Sequence, residues 1–311
     1  MPPLKIATAT YGLTRPLKQG DVRCATPLEF VEVNQITTDG MRPMVRSLAF
    51  DVCEMAFTTY LCARAMGKPL TAIPLFVTRN FHQWAAFYNV KSGIKGPKDL
   101  EGRRVGVNRG YTVTTGLWNR GILKHEYGVD LDKVTWCPTD EEHVSEFEAP
   151  ANVDYRFMGR SCADLLASGE LDAAVGDIPI TSPDVRPLIR NAREAGYAWY
   201  AKTGVFPVNH GLVVKNSVLQ SEPHVAVHLF EAFSAAKKIY LDRLRAQAGG
   251  DEADELARSL SPVVGGDPFP FGVAANRPAL ETIIAYAVEQ HVIPARFTVE
   301  ALFAPNTLGL S

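Results

Sequence analysis

The chain has 311 residues, 46% of them apolar, with 32 lysines and arginines against 34 aspartates and glutamates and a formal charge of −2. That length suits two domains of ordinary size or one large one, and the balanced charge, without a basic run or aromatic-basic interleaving, excludes an electrostatic case for nucleic acid. No stretch approaches the roughly 18 continuous apolar residues of a membrane helix, so no membrane partner is expected.

Five cysteines, Cys24, Cys53, Cys62, Cys137 and Cys162, are odd in number and lack C-x-x-C spacing, which reads as reduced core residues. The seven histidines are dispersed, and no metal site is expected. The amino terminus, MPPLKIATATYG, enters a strand pattern with no apolar leader region, giving an expectation of cytoplasmic residence.

In chain order, Leu4 to Thr8 alternates as a strand that ends at Tyr11-Gly12, and Leu28 to Val33 is a second strand-like run. A short helix is expected between Asp39 and Ser47, then a strand from Leu48 to Cys53 with Glu54 and Met55 at its carboxyl end. Phe57 to Met66 reads as a helix closed by Gly67. Leu70 to Val77 has the continuous apolar character of a central parallel strand, and it delivers Thr78-Arg79-Asn80-Phe81-His82-Gln83-Trp84 to its end.

Ala85 to Asn89 is a further strand. The segment Asp99 to Gly121 then reads as strand, tight turn and helix. Val105-Gly106-Val107 is the strand, Asn108-Arg109-Gly110 the turn, and Val113, Leu117, Trp118, Ile122 and Leu123 the helical stripe. Hydroxyls of Thr112, Thr114 and Thr115, beside Tyr111, stand where exposed amides need partners. The helix start is therefore a seat for a carboxylate or phosphate, although an ordinary capped helix uses the same residues.

Val134 to Cys137 is a short strand, and the acidic stretch Pro138 to Val153 reads as a solvated excursion. Ser161 to Ser168 forms a helix ended by Gly169, Leu171 to Val175 a strand, and Asp177 follows it in a turn. A helix is expected around Arg186 to Ala195. The strand-like run Val205 to Lys215 holds Pro207, Asn209 and His210, a polar group in an apolar strand, which suits either a histidine facing a cleft or one that only bonds its neighbours. Pro223 to Leu244 is a long amphipathic helix with Val227, Phe230, Phe233 and Ile239 among its apolar positions, broken at Gly249-Gly250-Asp251. Pro278 is expected to start a late helix, and Thr298 to cap a last short one.

Strands alternating with helices give an open α/β sheet with right-handed crossovers, in which ligands lie beyond the carboxyl ends of the strands. That rule nominates Tyr11, Glu54, Met55, Arg79, Phe81, His82 and the turn from Gly110 to Thr115.

The phrases FDVCEMAFTTYL, IPLFVTRNFHQW, DLEGRRVGVNRGYTVTTGLWNRGIL, LASGELDAAVG, FPVNHGLVVK, NRPALE, QHVIP and LFAP resemble the 4,5-dihydroxyphthalate decarboxylase family nearly end to end. One departure stands out: the family's Arg-x-Phe-Arg-His reads Arg79-Asn80-Phe81-His82-Gln83 here. The resemblance implies a two-lobed α/β fold like the type 2 periplasmic binding proteins, with a ligand cleft between lobes joined by two hinge strands. Lobe 1 is then residues 1–84 and 210–311, and lobe 2 residues 85–209.

It further implies cofactor-independent decarboxylation of a hydroxylated, phthalate-like aromatic acid. His210 is the first candidate for acid and base, His82 the second, and Glu54 a base or an orienting group, unless it only caps a helix. Arg79 offers a planar fork for a carboxylate, the Tyr111 to Thr115 donors hold a second carboxylate or the same one from the other lobe, and Phe81 and Trp84 are ring platforms or core. Tyr11, Met55, Asp177 and Asn209 complete the expected substrate contacts. The expected partner is a small aromatic carboxylic acid. A solute receptor or sensor that closes on such an acid without changing it is the rival reading, since one fold hosts both. The apolar helix from Pro278 packs on its own lobe or on a second copy, and both remain open.

Overall fold

The computed structural model describes residues 2–180, 182–246 and 250–311. Ten strands follow in chain order: β1 (Leu4–Ala7), β2 (Leu28–Phe30), β3 (Val52–Ala56), β4 (Leu70–Arg79), β5 (Ala86–Asn89), β6 (Arg104–Val107), β7 (Thr135–Pro138), β8 (Ala173–Val175), β9 (Val185–Pro187) and β10 (Val208–Lys215). They form two sheets, β2-β1-β3-β10-β4 and β7-β6-β8-β5-β9. The chain divides into two compact units, Met1–Arg79 with Val208–Glu281 and Phe297–Ser311, and Asn80–Pro207 with Thr282–Arg296.

In unit 1, β1 runs parallel to β2 and β3, while β10 enters antiparallel between β3 and β4. Unit 2 repeats the scheme, with β6 parallel to β7 and β8, and β5 antiparallel to β8 and β9. Each sheet is thus mixed rather than wholly parallel. The antiparallel strand in each is the one by which the chain first enters that unit or returns to it.

Several expected boundaries move, each for a local reason. The helix Arg42–Ser47 is capped by Leu48, whose φ of 52° is left-handed, so the strand starts only at Val52 and Glu54 lies inside it rather than beyond it. β4 is an edge strand, not a central one: among the described strands it pairs only with β10, and an isolated bridge from Phe303 to Ala72 covers its outer side. Residues 186–195 are not one helix, because Val185–Pro187 is a strand and the helix runs Ala192–Thr203. Pro278 lies within the helix Val273–Glu289 rather than at its start, five residues after it begins. The long helix is Val225–Ala246, and Ile239 on it is 43% exposed instead of in the core; Gly249 lies outside the described residues.

The unit 1 core forms where Val225, Leu229, Phe233, Ala236, Tyr240 and Leu244, spaced by three and four, meet Ile6, Val52, Ile73, Leu75, Leu212 and Val214 of the sheet. In unit 2 the helix Thr114–Tyr127 carries Trp118, fully buried. Gly121 of this helix lies against Tyr286, and a Cβ there would come within 2.0 Å of the ring. Gly121→Ala therefore lowers stability by about 1–3 kcal/mol through overpacking, despite alanine's better helix propensity, as a urea titration will read. A wild-type midpoint would contradict that packing. Cys53, Cys62, Cys137 and Cys162 are buried thiols and Cys24 is partly buried, none of them joined in a disulfide. Among the described residues, no helix is long and apolar enough to cross a membrane.

Candidate functional site

Glu54 is the centre of β3, a strand buried at all five positions, and its side chain has no exposure. A carboxylate can occupy such a position only if its oxygens are satisfied. The sheet supplies the partners from both neighbouring strands. Ala7 of β1 pairs with Cys53, so the loop that follows brings Ala9 and Tyr11 beside Glu54. On the other side Leu212 of β10 pairs with Glu54, and the strand's two-residue period puts His210 on the same face one diagonal step away.

The Ala9 amide donates to Glu54 Oε2 at 2.9 Å, the Tyr11 hydroxyl donates to Oε1 at 2.7 Å, and His210 Nδ1 lies 2.7 Å from Oε1. This last contact makes Nδ1 the donor and leaves Nε2 as the nitrogen available for proton exchange. His210 keeps 17% of its side chain exposed above the sealed carboxylate. Burial, then the charge of Glu54 and the hydrogen bond to it, push the Tyr11 phenol well above its ordinary value. Tyr11 is thus a fixed donor and not a base. Lys18, which the sequence reading passed over, donates to the Thr8 carbonyl at 2.6 Å and Thr10 Oγ1 at 3.0 Å. Burial lowers its pKa, and the fields of Glu54 and Glu32 act against that.

Arg79, at the end of β4, is buried, and its Nη1 donates to Asn276 Oδ1 at 2.5 Å and to the Pro270 carbonyl at 3.4 Å. It ties Pro270 and the first turn of the helix Val273–Glu289 to the sheet. Met55 is fully buried, and Asn209 is partly so, with Oδ1 enclosed and without a hydrogen-bond partner.

Unit 2 holds a genuine anion seat, and the anion in it belongs to the chain. The amides of Tyr111 and Thr112 donate to Glu142 Oε1 at 2.5 Å and Oε2 at 3.0 Å, and the Thr112 hydroxyl donates to Oε2 at 2.6 Å. The seat forms because β6 and β7 are parallel neighbours, so the loops leaving their carboxyl ends meet. Gly110 permits the approach, since a Cβ there would lie 2.7 Å from Glu142 Oε2. The acidic stretch is therefore not wholly solvated: Glu142, His143 and Val144 are buried. Burial raises the Glu142 pKa, and the bonds from Thr112 and Tyr111 and the charge of Arg120 oppose it.

Arg120 is fully buried under the seat. It donates to Gln290 Oε1 at 2.7 Å and to the Tyr111 carbonyl at 2.8 Å, with its guanidinium 4.0 Å from the Tyr111 ring centre.

Two of the remaining expected contacts of unit 2, Phe81 and His82, are buried among aromatic side chains. Phe81 lies among Tyr197, Tyr200 and Phe206, and His82 is stacked on Trp118 with an interplanar angle of 11°. The helix begins at Thr114, which is buried, with Val113 as its cap. A valine side chain accepts no hydrogen bond, so the expected hydroxyl cap is absent. Thr115 is half-buried, and Asp177 is exposed, its carbonyl accepting from Asn108 Nδ2. Tyr11, Glu54 and His210 are thus brought together in unit 1, and Tyr111 and Thr112 in unit 2. Glu142 and Arg120 are the functional-looking residues that sequence reading missed. Among the described residues, no cluster of three or more His, Cys, Asp or Glu is arranged to hold a metal ion.

The chain is 28% identical over 323 aligned residues to a 4,5-dihydroxyphthalate decarboxylase of Comamonas testosteroni, covering 98% of this chain and 97% of that one. It is 29% identical over 210 residues to an enzyme of the same name from Pseudomonas putida, covering 63% and 81%. Among solved structures, the periplasmic aliphatic sulphonate binding protein SsuA from Escherichia coli matches with a TM-score of 0.55 at 14% identity, over 99% of both chains. The desulfurization enzyme DSZB also matches with a TM-score of 0.55 at 14% identity, over 98% and 97%. These likenesses show the α/β fold of the type 2 periplasmic binding proteins. The family model described as NMT1/THI5 like matches residues 31–243, and the chain belongs to that NMT1/THI5-like family.

Proposed function

We propose that the protein is a cofactor-independent carboxy-lyase that removes carbon dioxide from a hydroxylated, phthalate-like aromatic acid, with His210 as its acid and base. The buried Glu54 carboxylate held 2.7 Å from His210 Nδ1 is the observation that carries this reading. A pure receptor has no need of a sealed carboxylate that fixes the tautomer of a half-open histidine. The similarity to the two named decarboxylases supports the substrate class.

A hydroxyl ortho or para to the carboxylate makes the reaction possible without an added electron sink. His210 Nε2 takes the phenolic proton, and the phenolate pushes electron density to the ring carbon that carries the carboxylate. That carbon accepts a proton from the imidazolium. The bond to the carboxylate then breaks, carbon dioxide leaves, and its electron pair restores the aromatic ring. The ring oxygen is left as a phenolate and takes a proton from water, so the sum is one proton taken up and one carbon dioxide released. Glu54 steadies the imidazolium when it forms, and Tyr11 and Ala9 hold Glu54 in place.

Incubation with 4,5-dihydroxyphthalate and a panel of hydroxybenzoates tests the reading through carbon dioxide release beside thermal-shift binding. Release from at least one acid is expected. Stabilisation by an acid with no release would replace the lyase by a receptor. Tyr11→Phe removes one of the three donors to Glu54 and should lower kcat about tenfold with KM within about twofold, as expected for a group that acts through another. An unchanged kcat would remove Tyr11 from the positioning chain.

A further inference from the structure

Unit 1 contains a cavity of about 230 Å³ that the reaction above does not use. Its floor is the end of β4, with Thr78 and Arg79, and one wall is the turn after β1, with Tyr11. The opposite wall is apolar, made by Tyr240 and Phe269, whose rings lie 6.0 Å apart at 45°, and by Leu260 of the helix Glu252–Leu260. Tyr240 is fixed there by its hydroxyl, which donates to Asp254 Oδ1 at 2.7 Å. Gly12 lets the turn close onto that ring, because a Cβ at Gly12 would come within 2.0 Å of it.

Three features of the cavity specify a ligand. Its volume exceeds the roughly 150 Å³ of a dry cavity that takes up benzene, so one ring with substituents fits. Its charged lining is two guanidiniums, Arg15 and Arg79, the latter also bonded to Asn276 and Pro270, against the carboxylate of Asp251, which accepts the Asp254 amide at 2.9 Å as a helix cap. The Thr78 hydroxyl is enclosed with no hydrogen-bond partner, a costly state that a polar substituent would relieve.

We infer that this cavity binds a single-ring aromatic acid, its ring against Tyr240 and Phe269 and its polar substituents toward Thr78 and the arginines. The site is separate from the Glu54–His210 pair but shares Tyr11 with it, since Tyr11 lines the cavity and its hydroxyl donates to Glu54. Occupancy therefore buttresses the residue that holds the catalytic carboxylate.

Calorimetric titration of benzoate and 4-hydroxybenzoate into the wild type, Ala253→Trp, Leu256→Phe, Thr78→Val and His210→Asn tests the assignment. Ala253 is exposed and lines the cavity, so tryptophan there fills the space without entering the core; Leu256→Phe does so from the next turn. Both filling variants should weaken binding at least about tenfold, or 1.4 kcal/mol, and Thr78→Val should weaken it several-fold. His210→Asn should bind as the wild type does. Wild-type affinity in both filling variants would overturn the assignment, as would loss of binding in His210→Asn or no binding to the wild type at millimolar acid. Failure of the decarboxylation assay would leave these titrations readable, so the two readings fail separately.

Discussion

Replacing His210 with asparagine is expected to lower turnover of the aromatic acid by about 10²–10⁴-fold, the range removed with a general acid and base, while KM and thermal stability change little. Asparagine can still donate to Glu54 from a position near that of Nδ1, so the buried carboxylate is not abandoned, yet nothing replaces Nε2. Glu54→Gln should cost a comparable factor by a different route. A glutamine amide directed at His210 turns Nδ1 into an acceptor and places the proton on Nε2, the wrong tautomer for taking a phenolic proton. The two losses should not add in the double variant, because each disables the same unit. Steady-state rates of the three variants check this. Additive losses would mean that Glu54 and His210 act separately, and near-wild-type rates would remove the pair from the chemistry.

The second large effect is on stability. Arg120→Met should destabilise the protein by about 3 kcal/mol or more at neutral pH, because two hydrogen bonds from a charged donor are lost and the Gln290 carbonyl that accepted one is left in the core. The same change removes a cation whose field holds Glu142 down. The sign of the pH dependence follows from the direction of that shift. Burial already raises Glu142 above its unfolded value, so its contribution is intact below the ordinary carboxyl range and is lost as pH rises through the raised folded pKa. Without Arg120 the folded pKa rises further and the loss grows. The gap between wild type and variant in urea midpoints should thus narrow from pH 7 to pH 5, with a remainder from the hydrogen bonds. A gap independent of pH would separate Arg120 from Glu142.

Much of this was legible in the sequence because it depends on short-range signals. The strand-end rule nominated Tyr11 and Glu54, the polar break in the apolar run Val205 to Lys215 nominated His210, and two sheet registers bring the three together. Thr112 and Tyr111 were legible as an anion seat because the strand, turn and helix are continuous. Its occupant was not. Glu142 lies 30 residues beyond Thr112 in a run of acids, and nothing local distinguishes the one carboxylate that turns inward from its solvated neighbours.

Arg120 left a faint trace, a cation within an apolar stripe and flanked by Gly116 and Gly121. The crowding at those glycines, 3.2 Å to Arg120 Nη1 at Gly116 and 2.0 Å to Tyr286 at Gly121, explains the missing side chains. The left-handed Leu48 and the proline inside the helix Val273–Glu289 defeated boundary placement for another reason. Tertiary context there overrides residue preference: Asn276 donates to the Gly272 carbonyl at 2.7 Å and the Pro270 carbonyl at 2.9 Å, anchoring the turn that precedes Pro278.

The most direct measurement is the fate of the ring carbon when the purified protein acts on 4,5-dihydroxyphthalate in deuterium oxide, followed by proton NMR and carbon dioxide release. One deuterium at the carbon that carried the lost carboxylate is predicted for each carbon dioxide released, at a rate that collapses in His210→Asn. Acid recovered unchanged, or turnover in His210→Asn equal to that of the wild type, would contradict a decarboxylase built on Glu54 and His210.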